Sequence, residues 1–100
     1  MFLPMNHRVI YGLLDPRTGL IRYVGVTSNP EKRMNEHLKD RNKKGSGIKK
    51  NTWINELMDL NIPPLFVFLD AVHQNIAMER ELYWIKHFSC FSVLLNSHKK

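Results

Sequence analysis

Cysteine occurs once in this chain, at Cys90. A lone thiol cannot close an internal disulfide, and no second cysteine is present to build a thiolate zinc cluster. Histidine does not fill that gap: His7, His37, His73, His87 and His98 show no H-x-x-x-H or H-E-x-x-H spacing and no mixed Cys/His set. Glycine is sparse, and the stretch Gly45-Ser46-Gly47 lacks the Lys-Ser/Thr ending of a phosphate-cradling loop. No apolar run approaches a membrane span, the Met1-to-Met5 opening is too short for a signal peptide, and no repeat or heptad run appears. The expectation is a cytoplasmic protein with no membrane partner. Acid is the last shortage, with 9 Asp and Glu against 15 Lys and Arg, a formal charge of +6 and a pI near 9.7. That balance suits a polyanionic partner, although many proteins that bind none share it. One hundred residues imply one domain over 1–100, its core at about 7–96, able to bury only about two thirds of its unfolded surface.

The informative stretch runs from Val9 to His37. Two apolar segments, Val9 to Leu14 and Leu20 to Val26, flank Asp15-Pro16-Arg17-Thr18-Gly19. There proline fixes φ, the aspartate can close an Asx turn and the glycine supplies positive φ, so a hairpin is predicted. Alternation puts Val9, Tyr11 and Leu13 on one face and Ile10, Gly12 and Leu14 on the other, with Ile21, Tyr23 and Gly25 sharing a face of the second strand. Two phenols can then stand side by side, with Gly12 and Gly25 leaving backbone accessible. Ser28-Asn29-Pro30-Glu31 reads as a capping box with proline in the first turn of a helix starting near Asn29 or Pro30. On that helix Met34 and Leu38 face the core, while Arg33 and His37, also four apart, stack on a neighbouring strip.

Lys39 to Lys50 holds six cations, Lys39, Arg41, Lys43, Lys44, Lys49 and Lys50, against one acid. It reads as a mobile basic loop that can follow a phosphate backbone without reading bases. A second basic tip, Ser97 to Lys100, is expected to fray. Asn51 or Thr52 can cap a helix to Leu60, its stripe of Trp53, Leu57 and Leu60 widened by Ile54 and Met58 and its indole better suited to packing than to base stacking. Asn61-Ile62-Pro63-Pro64 stops this helix before Leu65 to Val72, a nearly unbroken apolar run that predicts a third strand, central or well protected, with Asp70 as a turn or cap residue. A third helix, from about Asn75 to Phe88, buries Met78, Leu82 and Ile85, and Glu81 falls within that stripe. A carboxylate there is costly unless it meets a cation such as Arg33 or Arg80, a metal, or a water-filled cleft.

In order and spacing, Val9-Ile10-Tyr11, Tyr23-Val24-Gly25, Arg33, His37, Glu81 and Asn96 resemble the GIY-YIG endonuclease domain, with Val9 in place of the first glycine and Val26 where some relatives carry lysine. The resemblance covers about residues 7–96. It implies an α/β (α+β) sandwich with a small three-stranded, mainly antiparallel sheet flanked by about three helices. It also implies metal-dependent hydrolysis of DNA, duplex, branched or single-stranded. Under it Glu81 holds one Mg2+ or Mn2+ ion, Arg33 binds a non-bridging phosphate oxygen, and Tyr11 takes or relays the proton of water. His37 then acts as neighbouring proton relay, Tyr23 orients water or phosphate, and Asn96 orients neighbouring groups. The other readings are a non-catalytic nucleic-acid-binding module on the same scaffold, a nuclease subunit active only with a partner, and a protein-docking subunit. One hundred residues are expected to leave no room for a separate DNA-reading domain. Specificity is therefore expected to rest on DNA shape, single strands, loop contacts, a protein partner or a homo-oligomer.

Overall fold

The structure, a computed structural model, describes residues 4–42 and 47–96. β1 (His7–Asp15) and β2 (Leu20–Thr27) form the expected hairpin. Its turn closes as its residues dictate: the Arg17 amide donates to the Asp15 carboxylate at 2.8 Å, the Gly19 amide donates to the Asp15 carbonyl at 2.8 Å, and Gly19 sits at φ +74°. α1 (Pro30–Lys39) follows, then a 3-10 turn (Asp40–Asn42), α2 (Ile48–Asp59), β3 (Leu65–His73), a second 3-10 turn (Gln74–Ile76) and α3 (Ala77–Ser89). The three strands make one antiparallel sheet in the order β2-β1-β3. With three helices this is an α+β fold.

β1 is central, and its alternation builds two cores. Val9, Tyr11 and Leu13 pack with Trp53, Ile54 and Leu57 of α2 and with Met34 and Leu38 of α1. Ile10 packs with Ile21, Val24 and Val72, covered by Ala77, Trp84, Ile85 and Phe88 of α3. A bulge at Arg22 separates the pairs Leu13 with Tyr23 and Leu14 with Ile21, which overturns the expectation that Ile21 and Tyr23 share a face. A second bulge at Leu69 lies beside Tyr11, bringing Phe66 and Phe68 to the tyrosine side of the sheet.

β3 is an edge strand, with Leu65 and Phe68 about half exposed, and is neither central nor well protected. Its apolar run packs inward on both faces, but helices cover each face only in part. Asp70 is a tie to α3, and no turn or cap residue: it accepts from Arg80 Nε at 3.0 Å and Trp84 Nε1 at 3.1 Å. That anchor sets the rotation of α3, so Ala77, Trp84, Ile85 and Phe88 turn inward while Met78 and Leu82 are 74% and 54% exposed. Glu81 stays within the inward arc and is half-buried.

α1 starts at Pro30, as expected, but its cap differs, and the starts of the other two helices differ from expectation. The cap of α1 is Asn29, whose side chain accepts from the Lys32 amide at 3.1 Å, one residue past the serine of the capping box. α2 begins at Ile48 after Gly47 in the left-handed region, a full turn before Asn51, and Leu60, expected in its apolar stripe, lies just past its end and is exposed. α3 proper starts at Ala77, after the 3-10 turn that His73 caps. The outer edge of β2 is sealed by residues 92–96: Ser92 Oγ donates to the Ile21 carbonyl at 2.6 Å, and the Leu95 amide donates to the Arg22 carbonyl at 2.7 Å. That pairing covers the β2 edge of the sheet. Ser97 to Lys100 lie outside the described residues.

Candidate functional site

Tyr11 stands opposite Gly25 across the hairpin, and this pairing makes the site possible. A Cβ on Gly25 would lie 2.5 Å from the Tyr11 ring and hydroxyl, so the bare glycine is the slot that the phenol occupies. The glycines do not leave backbone open, as the alternation suggested: both are buried, and the missing side chain of Gly12 makes room for Ile21 on the other face. Phe66 stacks on the Tyr11 ring at 4.4 Å, and Tyr23 tilts against it at 6.3 Å. An apolar hollow lined by Pro30, Met34, Phe66 and Phe68 opens alongside.

α1 leaves β2 after a two-residue link, which swings its first two turns over the tyrosines. His37 is buried, and its Nε2 lies 2.6 Å from the Tyr11 hydroxyl. Its ring meets the Tyr23 ring edge-on at 5.2 Å. The other ring nitrogen, Nδ1, is 2.8 Å from Lys50 Nζ, which also stands 5.4 Å over the Tyr23 ring. Arg33 pairs with Glu36 at 3.1 Å and acts electrostatically on both phenols. Tyr11, Tyr23, Arg33 and His37 are therefore brought together.

Electrostatics follow from burial. Tyr11 is pushed well above its ordinary pKa by burial, then by the neighbouring Tyr23; Arg33 pulls it down and Glu81 adds to the rise. The half-buried Glu81 carboxylate is thus close enough to bear on the Tyr11 phenol. Burial also opposes the Arg33 cation, but Tyr11, Glu36 and Tyr23 hold its pKa above the ordinary value. His37 is pushed down to about 3 by burial, then by the Lys50 and Arg33 cations. It is therefore neutral in the folded protein across the physiological range.

This last shift has a stability consequence. Between pH 6.5 and about 3 the unfolded chain binds a proton at His37 that the folded chain refuses, so folding weakens as pH falls through that window. The slope is at most about 1.4 kcal/mol per pH unit. Above pH 4 the paired Asp15, whose pKa Arg17 holds far below the carboxylate range, adds little to the fall. Thermal unfolding followed by circular dichroism is expected to show the midpoint of the wild type falling from pH 6.5 to 4.5 more steeply than that of His37→Gln. Parallel curves would contradict it.

Asn96 does not face the tyrosines. Its amide pairs with the peptide groups of Val24, accepting from the amide at 3.0 Å and donating to the carbonyl at 2.6 Å, and so pins the strand between Tyr23 and Gly25. Of the basic residues, Lys39 ends α1 and Lys49 lies in the first turn of α2, both exposed, while Arg41 donates to the Leu38 carbonyl. Lys43 and Lys44 lie outside the described residues. Lys50 is not a loop cation: it is 8% exposed and belongs to the tyrosine–histidine cluster. Its place on one helical stripe with residues 53, 54 and 57 emerges only once the helix is begun at Ile48, a start that no side-chain cap marks.

A family model described as the GIY-YIG catalytic domain matches residues 7–92. Comparison with the curated proteins and with the solved structures found no match.

Proposed function

Because the chain belongs to the GIY-YIG family of nucleases, with DNA as the substrate this implies, we propose that it hydrolyses DNA phosphodiesters with a divalent metal ion at the cluster of Tyr11, Tyr23, Arg33, His37 and Glu81. The observation that carries this reading is the buried 2.6 Å contact between the Tyr11 hydroxyl and His37, with the Arg33 guanidinium acting on the same phenol.

Among the described residues no three His, Cys, Asp or Glu side chains gather as a metal site. The half-buried Glu81 carboxylate is a hard oxygen donor and suits a hard ion that keeps water and phosphate among its other ligands, as magnesium does. Glu81 would hold that ion, which supplies charge to offset the developing negative charge on phosphorus-bound oxygens. Arg33 binds a non-bridging oxygen, where its fixed charge is worth most in the transition state. Tyr11 takes the proton of the attacking water, and Tyr23 orients that water or the phosphate. In the resting protein Tyr11 keeps its own proton, so the form able to accept one is a phenolate, favoured by the neighbouring Arg33. Lys39 and Lys49, with Lys43 and Lys44 between them in sequence, neutralise flanking phosphates, and Arg41 adds to the same field.

The test is cleavage of end-labelled single-stranded, duplex and branched DNA with magnesium, manganese or EDTA, wild type beside Glu81→Ala. Cutting that needs metal and falls below detection in a folded Glu81→Ala protein is expected. No cutting of any substrate, with salt-sensitive binding retained, would replace the nuclease by a binding module on the same scaffold.

A further inference from the structure

We propose that Lys50 is a positioning residue: its ammonium donates to His37 Nδ1 and so holds the imidazole in its Nε2–H tautomer, which makes His37 a donor to the Tyr11 oxygen. The direction of these hydrogen bonds follows from inventory. A lysine ammonium has three donors and no acceptor, so at 2.8 Å it can only give to Nδ1. A neutral imidazole has one donor and one acceptor. With Nδ1 accepting, the ring proton must sit on Nε2, and at 2.6 Å that proton points at the Tyr11 hydroxyl oxygen. The phenol then directs its own O–H away from His37.

Two further features agree. The face of the Tyr23 ring beneath Lys50 Nζ at 5.4 Å favours the cationic amine over the neutral one. The groups that bear on His37 are Tyr11 from β1, Tyr23 from β2, Arg33 from its own helix and Lys50 from α2, and the two cations among them oppose an imidazolium. Burial lowers the Lys50 pKa as well, and Arg33 adds to that, but Asp40 works in the opposite direction and supports the ammonium.

The consequence changes the part His37 plays. It does not accept the Tyr11 proton, because the nitrogen facing Tyr11 already carries one. Instead it stabilises the phenolate once Tyr11 has lost its proton to water in the cleft, and it does so only while Lys50 keeps the tautomer. This effect on rate rests on the nuclease reading above, whereas the hydrogen-bond direction does not.

The experiment is long-range 1H–15N correlation of the His37 imidazole in the free protein at neutral pH, for the wild type, Lys50→Met and Lys50→Arg, with DNA cleavage measured on the same samples. Expected are an Nε2–H imidazole in the wild type and in Lys50→Arg, and a shift toward Nδ1–H in Lys50→Met. The same variant should lose about 10²-fold in kcat with KM nearly unchanged, and Lys50→Arg should recover most of it. A wild-type imidazole protonated on Nδ1 or on both nitrogens overturns the proposal, as does an Nε2–H signal unchanged in Lys50→Met. If Lys50→Met does not fold, the wild-type and Lys50→Arg spectra still decide the tautomer. Absence of cleavage by the wild type with the Nε2–H tautomer present would remove the nuclease reading and leave the assignment of Lys50 standing.

Discussion

Tyr11→Phe is expected to lower kcat by about 10²–10⁴-fold, the range that a general base contributes, while leaving KM for DNA within a few-fold of the wild type. The substitution keeps what the ring does for the fold: its stack on Phe66 at 4.4 Å and its place among Val9, Leu13, Trp53 and Leu57 are those of an aromatic hydrocarbon. Only the hydroxyl goes. Substrate affinity should survive, because the oxygen is buried against His37 and the proposed mechanism assigns phosphate binding to Arg33 and the basic residues, which the substitution leaves in place. The histidine nitrogen left without a partner costs about 1–3 kcal/mol. For a domain of this size each kcal/mol lowers the melting midpoint by roughly 4–8 °C. Single-turnover cleavage at 25 °C therefore compares folded proteins, and a rate within tenfold of the wild type would transfer the proton-accepting role to another group.

The parts of this architecture that were legible in the sequence obey local rules. Alternation along Val9 to Leu13 and the four-residue repeat of Arg33 and His37 are set by backbone geometry a few residues long, so the hairpin and α1 could be anticipated, whereas the relation of Tyr11 to His37 came from the family resemblance. Lys50 could not, because its helix starts from Gly47 with no side-chain cap to announce it. A helix begun at Asn51 leaves that lysine in a loop. The unbroken run from Leu65 to Val72 says that both faces of β3 are apolar, but strand order is decided by long-range pairing, and it puts β3 at the edge. Periodicity alone gives α3 a stripe without fixing its rotation. Asp70, reaching from the sheet to Arg80 and Trp84, turns the helix so that Ala77, Glu81, Trp84, Ile85 and Phe88 follow one inward line and Met78 and Leu82 do not. Glu81 survives this correction because it lies within both stripes. Asn96 presented only a polar residue after an apolar run, and its grip on the Val24 peptide depends on the C-terminal segment folding back along β2.

Gly25→Ala should then damage stability and chemistry together. The new methyl would come within 2.5 Å of the Tyr11 ring carbon that bears the hydroxyl and of the hydroxyl itself. That ring cannot step aside cheaply, since it is fully buried, stacked on Phe66 and bonded to His37. Overpacking of this kind costs about 1–3 kcal/mol, or several degrees of melting temperature. Whichever way the ring turns, its oxygen leaves the histidine, and a displacement on the order of 1 Å costs about 10²-fold in rate. Gly12→Ala supplies the contrast. Its methyl would meet the Ile21 side chain, Cδ1 at 2.9 Å and Cγ2 at 3.1 Å, on the face away from the tyrosines, so the strain falls on packing and not on the Tyr11 oxygen. Calorimetry and cleavage on the two variants are expected to show both destabilised and only Gly25→Ala impaired in kcat beyond its stability loss. If Gly25→Ala cuts DNA at the wild-type rate, the glycine slot is a packing feature and the position of the Tyr11 oxygen does not set the rate.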